Sequence, residues 1–123
     1  MTAGERGAEA LWSALRDGTL DMIVSDHSPC LPSMKERDSG DFFSAWGGIA
    51  SLQFGLPLIW NEASRRGLSL ADVVRWMALA PARLAGLEGH KGALVAGADA
   101  DVVALDPDST WSIREDLIEH RHK

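Results

Sequence analysis

The stretch Leu20-Asp21-Met22-Ile23-Val24-Ser25-Asp26-His27-Ser28-Pro29-Cys30 decides how the rest of the chain is read, because a short apolar run ends there in a polar cluster and breaks at a proline. Met22, Ile23 and Val24 are consecutive rather than alternating, the pattern of a strand covered on both faces, as in the parallel sheets of α/β proteins. Pro29 and Pro32 forbid its continuation, since neither has the N–H that a ladder needs. The expectation is a buried strand that delivers Asp26 and His27 to a surface at its carboxyl end, where α/β barrels build their active sites. The residues alone fit equally a strand-to-loop turn in which Asp26 caps nearby backbone amides.

On the N-terminal side, residues 8–16 are rich in helix formers, with Leu11 and Leu15 four apart, Trp12 beside them and Gly18 placed as a C-cap. An amphipathic helix, a brief loop and a buried strand make half of a βαβ unit. Beyond the strand, residues 31–40 predict a mobile loop in which Lys35, Glu36, Arg37 and Asp38 are solvated charges. Asp41 is placed to cap a short turn at Phe42 and Phe43. Gly47 and Gly48 let backbone approach a ligand with no Cβ in the way, or else mark a flexible break before a helix.

Residues 49–65 predict one long buried helix that Pro57 kinks or divides. Gly67 ends it, and Ser69 with Asp72 forms a capping box that opens a helix burying Val73, Val74 and Met77. Pro81 suits the first position of a further short helix stopping near Gly86. Trp60 and Trp76 are read as packing residues. The period then changes, and residues 91–95 and 101–105 predict two short strands around Gly97-Ala98-Asp99-Ala100, with Asp106-Pro107 closing the second.

At 123 residues the chain is one domain's length, with apolar content sufficient for a core. A net charge of −6 without a Lys/Arg cluster argues against nucleic acid or an anionic membrane as partner. The longest apolar stretch, residues 49–60, is interrupted by Ser51, Gln53, Gly55 and Pro57 and falls short of the ~20 residues a membrane span requires. Residues 1–6 carry no basic region followed by an apolar core, so no secretory signal is expected. The single cysteine, Cys30, cannot form an internal disulfide and fits a reducing cytoplasm, where it is read as a bystander thiol.

Ser25-Asp26-His27-Ser28-Pro29-Cys30, followed by Ala45-Trp46-Gly47-Gly48-Ile49-Ala50-Ser51-Leu52-Gln53, resembles the allantoinases, cyclic amidohydrolases of the metal-dependent amidohydrolase superfamily. The resemblance runs from about residue 11 to the end and takes in Ala80-Pro81-Ala82 and Lys91-Gly92 with Gly97-Ala98-Asp99-Ala100-Asp101. Those last two elements recur across the superfamily, whereas the Asp26 cluster with the Trp46-Gly47-Gly48 loop separates allantoinases from dihydroorotases and dihydropyrimidinases.

The resemblance implies an α/β fold: the C-terminal fragment of a (β/α)8 barrel, its last strand and following helices, over residues 1–88, plus part of a small β-sandwich domain over residues 89–123. A complete barrel needs about 250 residues, so the chain is expected to lack the earlier strands. It also implies a binuclear divalent metal centre, usually zinc, that generates hydroxide from water and polarises the carbonyl under attack. Asp26 matches the aspartate ligand, expected also to take the water's proton and pass it to the leaving ring nitrogen. The other ligands belong to strands that this chain lacks, and Asp26 alone cannot hold two metals.

His27 is implied to support the site rather than bind metal, and the backbones of Ser28, Gly47 and Gly48 to contact the substrate ring. The implied reaction opens the hydantoin ring of allantoin to allantoate in purine catabolism, in an enzyme that is a homo-oligomer when complete; the chain by itself is expected to be inactive. Two other readings stay open, a non-catalytic truncated module that assembles with a full-length homologue, and a cyclic amidohydrolase of the dihydropyrimidinase or hydantoinase type. His120-Arg121-His122 mimics the superfamily's His-x-His metal motif, but it follows a charged C-terminal stretch rather than an N-terminal strand and is read as a polar tail; His90 is read as a surface loop residue.

Overall fold

The computed structural model describes residues 2–120. Among these residues four α-helices form: α1 (Ala3–Asp17), α2 (Gly55–Arg65), α3 (Leu70–Val74) and α4 (Ala80–Leu84), the last two joined by a π-helical turn at Arg75–Leu79. The chain divides into two compact units, one made of the segment up to Val24 with Ala63–Val103, the other of Ser25–Glu62 with the chain from Ala104 onward.

In the first unit, local chemistry sets the helix ends. Thr2 and Glu5 form a capping box at the start of α1, with Glu5 N donating to Thr2 Oγ1 at 3.2 Å and Thr2 N donating to Glu5 Oε2 at 2.5 Å. Gly18 closes α1 in the left-handed region, φ +81°, open to glycine without a Cβ penalty. Ser69 and Asp72 form the expected capping box of α3. Pro81 opens the short helix α4, as expected, and α4 stops just before Gly86. The proline lies in the first turn of α4 within one continuous helical run, and because it has no N–H to bond backward the ladder widens just before it, Ala80 N donating to Arg75 O.

The core of this unit is Trp12, Leu15, Ala63, Val73, Trp76 and Ala82. Trp12 and Trp76 meet edge to face with ring centroids 6.3 Å apart, a preferred arrangement of two ring quadrupoles. Arg66 stacks its guanidinium 5.0 Å over Trp12 and pairs with Glu9 at 2.5 Å. Leu11 and Val74, expected inside, are exposed. Each follows or precedes a buried residue by one position, about 100° around the helix, which carries it off the narrow stripe set by Trp12 with Leu15 and by Val73 with Trp76.

No strand forms among the described residues; residues 20–24, 91–95 and 101–105 contain no ladder, and the only bridge is an isolated parallel one between Glu88 and Lys91. The expected β-sandwich portion is therefore not found. A strand is a product of pairing, and none of these segments lies beside another with its N–H and C=O groups in register. Ile23 N donates instead to Trp76 O at 3.0 Å, and Val24, Leu94, Val95, Val102 and Val103 are exposed. Lys91 binds the carboxylates of Asp99, at 2.8 Å, and Asp101.

In the second unit, α2 begins at Gly55 rather than near residue 49. Residues 49–52 are held outside helical geometry by other partners: Ile49 O accepts from Ser28 N at 3.0 Å, and Ser51 N and Leu52 N donate to the His27 ring. Pro57 then falls in the first turn of α2, where a missing N–H costs nothing. Phe54 stacks obliquely on Trp111, centroids 5.8 Å apart, and Trp60 Nε1 donates to Pro107 O at 3.2 Å.

Candidate active-site segment

Asp26 adopts φ +44°, a left-handed conformation that costs a non-glycine residue about 1–2 kcal/mol and recurs at functional positions. The residue is exposed, and its carboxylate accepts no hydrogen bond among the described residues. Its backbone carbonyl receives Ser28 Oγ at 3.2 Å. The side chain is thus presented with both oxygens available, on a backbone bent to hold it.

His27 turns the other way. Its Nδ1 accepts from Ser51 N and Leu52 N, each at 3.1 Å, so this nitrogen carries the lone pair and the ring proton sits on Nε2. The imidazole thereby pins the 51–52 backbone, and Ser51 Oγ donates to Ser25 O beside it. Ser28 is engaged on three sides: N to Ile49 O, carbonyl from Trp46 Nε1 at 2.9 Å, and hydroxyl to Asp26 O. Its N–H is therefore spent within the chain.

Lys35, expected as a solvated charge, is half-buried and serves the loop. It ends a 3-10 turn at Pro32–Lys35, and its Nζ donates to Trp46 O at 2.9 Å and to Gly48 O at 2.6 Å. Trp46 N completes the closure by donating to Met34 O at 2.8 Å. Gly48 has no room for a side chain, since a Cβ would overlap the hydroxyl and carbonyl oxygens of Ser28 and lie 2.7 Å from Trp46 Nε1. Gly47 is exposed and open on its Cβ side. Ser28, Trp46 and Gly48 are thus brought together, with Lys35 behind them.

Two further contacts were not legible in the sequence. Gln53 uses its amide as a backbone mimic, donating to Leu117 O at 2.6 Å and accepting from Glu119 N at 2.9 Å. Asp41 caps its turn as expected, accepting from Phe43 N at 3.0 Å and Ser44 N at 3.3 Å. The Ser44 hydroxyl, also bonded to it, is the main cause that holds the carboxyl below the usual carboxylate range. Cys30 is a half-buried free thiol. His90 is exposed, His120 has its Nδ1 buried with no hydrogen-bond partner among the described residues, and Arg121 and His122 lie outside them.

The amidohydrolase family profile matches residues 3–120, nearly the whole chain. The chain belongs to the amidohydrolase family. As an amidohydrolase it is 51% identical over 115 residues to the allantoinase of Streptomyces avermitilis, covering 94% of this chain and 25% of that protein. It is 56% identical over 84 residues to the mitochondrial allantoinase of Aquarana catesbeiana, covering 68% of this chain and 17% of the relative. It is 44% identical over 108 residues to the allantoinase of Arabidopsis thaliana, covering 88% and 21%. The chain spans about a quarter or less of the length of these curated relatives.

Amidohydrolases are generally metal-dependent, and the donor set can be tested against that requirement. The described residues contain no group of three His, Cys, Asp or Glu side chains able to hold a metal ion together. The Asp26 carboxylate suits one ligand position, but a single carboxylate does not make a site that needs about four donors. No helix among the described residues is long and apolar enough to cross a membrane.

Proposed function

We propose that this chain is the C-terminal portion of an allantoinase-type hydrolase, residues 1–88 belonging to its (β/α)8 barrel and residues 89–123 to its small β domain. In the complete enzyme, a cytoplasmic homo-oligomer, Asp26 is one ligand of a binuclear zinc centre whose other ligands come from outside the chain. When bound, that centre supplies a hydroxide nucleophile near neutral pH and polarises the carbonyl under attack. Asp26 takes the proton from the attacking water and delivers it to the ring nitrogen that departs, giving allantoate from allantoin. His27 keeps the 51–52 backbone in place with its Nδ1, and the backbones of Ser28, Gly47 and Gly48 face the hydantoin ring.

The observation that carries this reading is the unpaired, exposed Asp26 carboxylate on a left-handed backbone, within the motif that resembles the allantoinases. Similarity to proteins named allantoinase supports the substrate.

Complementation tests it. The chain is coexpressed with the part of the Streptomyces avermitilis allantoinase that lies outside the matched region, loaded with zinc, and assayed for allantoate. Expected are a stable assembly and allantoin hydrolysis that Asp26→Asn lowers by at least about a hundredfold, the lower end for a catalytic proton-transfer group. An assembly without any hydrolysis would favour a non-catalytic module. Faster turnover of hydantoin or dihydrouracil than of allantoin would move the substrate to the dihydropyrimidinase type.

A further inference from the structure

We propose that a cleft in the helical unit binds the zwitterion of an apolar α-amino acid, with Arg16 meeting its carboxylate and Asp21 its ammonium. The cleft lies between the end of α1, the residues just after it and the helical run from Arg75 to Leu84, and has a volume of about 610 Å3. Small-molecule sites usually measure about 300–1,000 Å3. The cleft belongs to the unit that does not contain Asp26, so its ligand is separate from the proposed hydrolytic chemistry.

Charge selects the ligand. Arg16, Arg75 and Arg83 line the cleft together with Asp17 and Asp21. Three of these five are already engaged: Arg75 with Asp72 at 3.0 Å, Arg83 with Glu88 at 2.7 Å, and Asp17 with Thr19 N at 2.9 Å. The side chains of Arg16 and Asp21 enter no hydrogen bond or ion pair among the described residues, with each other or with any third group. One cation and one carboxylate therefore stand open in the same cleft. With Asp72 and Glu88 included, four carboxylates face three guanidinium groups, a balance unfavourable to phosphates and other multiply charged anions. A zwitterion adds no net charge and answers both open groups.

The backbone and the apolar wall agree with this. In an α-helix Arg75 and Ala80, five positions apart, would point about 140° away from each other. The Ala80 N to Arg75 O bond of the π-helical turn sets one above the other instead, which brings Arg75 onto the cleft face, and such turns recur at functional sites. Arg75 is held 5.2 Å over the Trp76 ring and by one bond to Asp72, leaving other N–H groups of its guanidinium available to a carboxylate. Leu15 and Trp76 are buried at the cleft, and Leu20 and Leu84 are exposed beside them, so an apolar side chain laid there leaves water together with them.

L-leucine is titrated into the 15N-labelled chain, and the amide resonances of residues 15–21 and 75–84 are expected to shift. Arg16→Gln and Asp21→Asn should each weaken the apparent affinity by about tenfold or more, the worth of a hydrogen bond to a charged group. Both residues are exposed, so far-ultraviolet circular dichroism should match that of the unsubstituted chain. Isoamylamine and isocaproate keep the leucine side chain but carry one charge each, and should bind at least about tenfold more weakly than leucine. No shift at about 10 mM leucine, where a site with a dissociation constant of about 1 mM is nearly full, would overturn the proposal. So would shifts confined to other residues, or equal binding of either singly charged analogue. Loss of leucine binding once the chain is assembled with the complementing allantoinase portion would also overturn it, the cleft then being a packing surface for the rest of the enzyme.

Discussion

The helical unit built from α1, α3 and α4 and the loop unit running from residue 25 to residue 52 are held by different forces. All six side chains buried among the described residues belong to the helical unit, which also takes in Ala63 at the end of α2; there Trp12 and Trp76 meet edge to face and Val73 is fully enclosed. The loop unit has no buried side chain among the described residues, and Phe42 and Phe43 are almost wholly exposed. Its order comes from polar groups aimed at backbone: the His27 ring on two amides, Lys35 on two carbonyls, Trp46 on Ser28. Burial is non-directional and tolerates small shifts, while hydrogen bonds fix atoms to within tenths of an ångström. The difference separates a scaffold from a segment whose geometry is itself the product.

That comparison can be broken by substitution. The largest effect is expected from Trp76→Ala, which removes a nearly enclosed ring and should destabilise the helical unit by about 3–5 kcal/mol. Cooperative thermal unfolding followed by circular dichroism should then weaken or vanish. A melt unchanged within error would mean that the apolar cluster is not what holds this unit.

Next in size is the contrast between two adjacent glycines. Gly48→Ala must push Ser28 or the loop aside and should cost about 1–3 kcal/mol as overpacking does. Gly47→Ala, with open space at its Cβ, should stay within about 0.5 kcal/mol. Amide resonances of Ser28 and Trp46 should move in the first and barely respond in the second. Equal responses would deny that the loop is packed against Ser28.

The smallest effect sharpens the helical side. Ser69→Ala removes a capping oxygen and should cost about 1 kcal/mol. Its partner Asp72 accepts from Ser69 Oγ at 2.7 Å and Ser69 N at 3.0 Å, contacts led by the Ser69 hydroxyl that hold its carboxyl below the ordinary range. A depressed native value means the cap contributes fully above the unfolded-state value, about pH 4, and that contribution is lost as pH falls through the native one. Acid titration of far-ultraviolet circular dichroism should show a loss that flattens in Asp72→Asn; identical acid profiles would remove Asp72 from the account.

Much of the helical unit was legible because its signals are local. The Ser69 and Asp72 box, the Gly18 stop and the Trp12 and Leu15 stripe act within one or two turns, and each is found where the residue pattern puts it. Pro81 sits at the start of α4 as its residue type suggests, but the widened turn at residues 75–79 that leads into it depends on helix continuing on both sides and has no local signal. The Asp26 cluster and the paired glycines stood out as motifs, yet the left-handed backbone at Asp26 and the crowding at Gly48 have no counterpart in residue pattern.

By itself, then, the sequence determined the helix caps, the apolar stripe of the scaffold and the family to which the chain belongs. Tertiary structure alone decided that residues 20–24 join no ladder, that α2 waits until Gly55, and that Lys35 turns inward to two carbonyls. The physical reason is reach. A capping box closes over three residues, whereas Lys35 meets Trp46 across 11 positions and Gln53 meets Glu119 across 66. Contacts of that span exist only once the chain entropy between them has been overcome by everything else that folds.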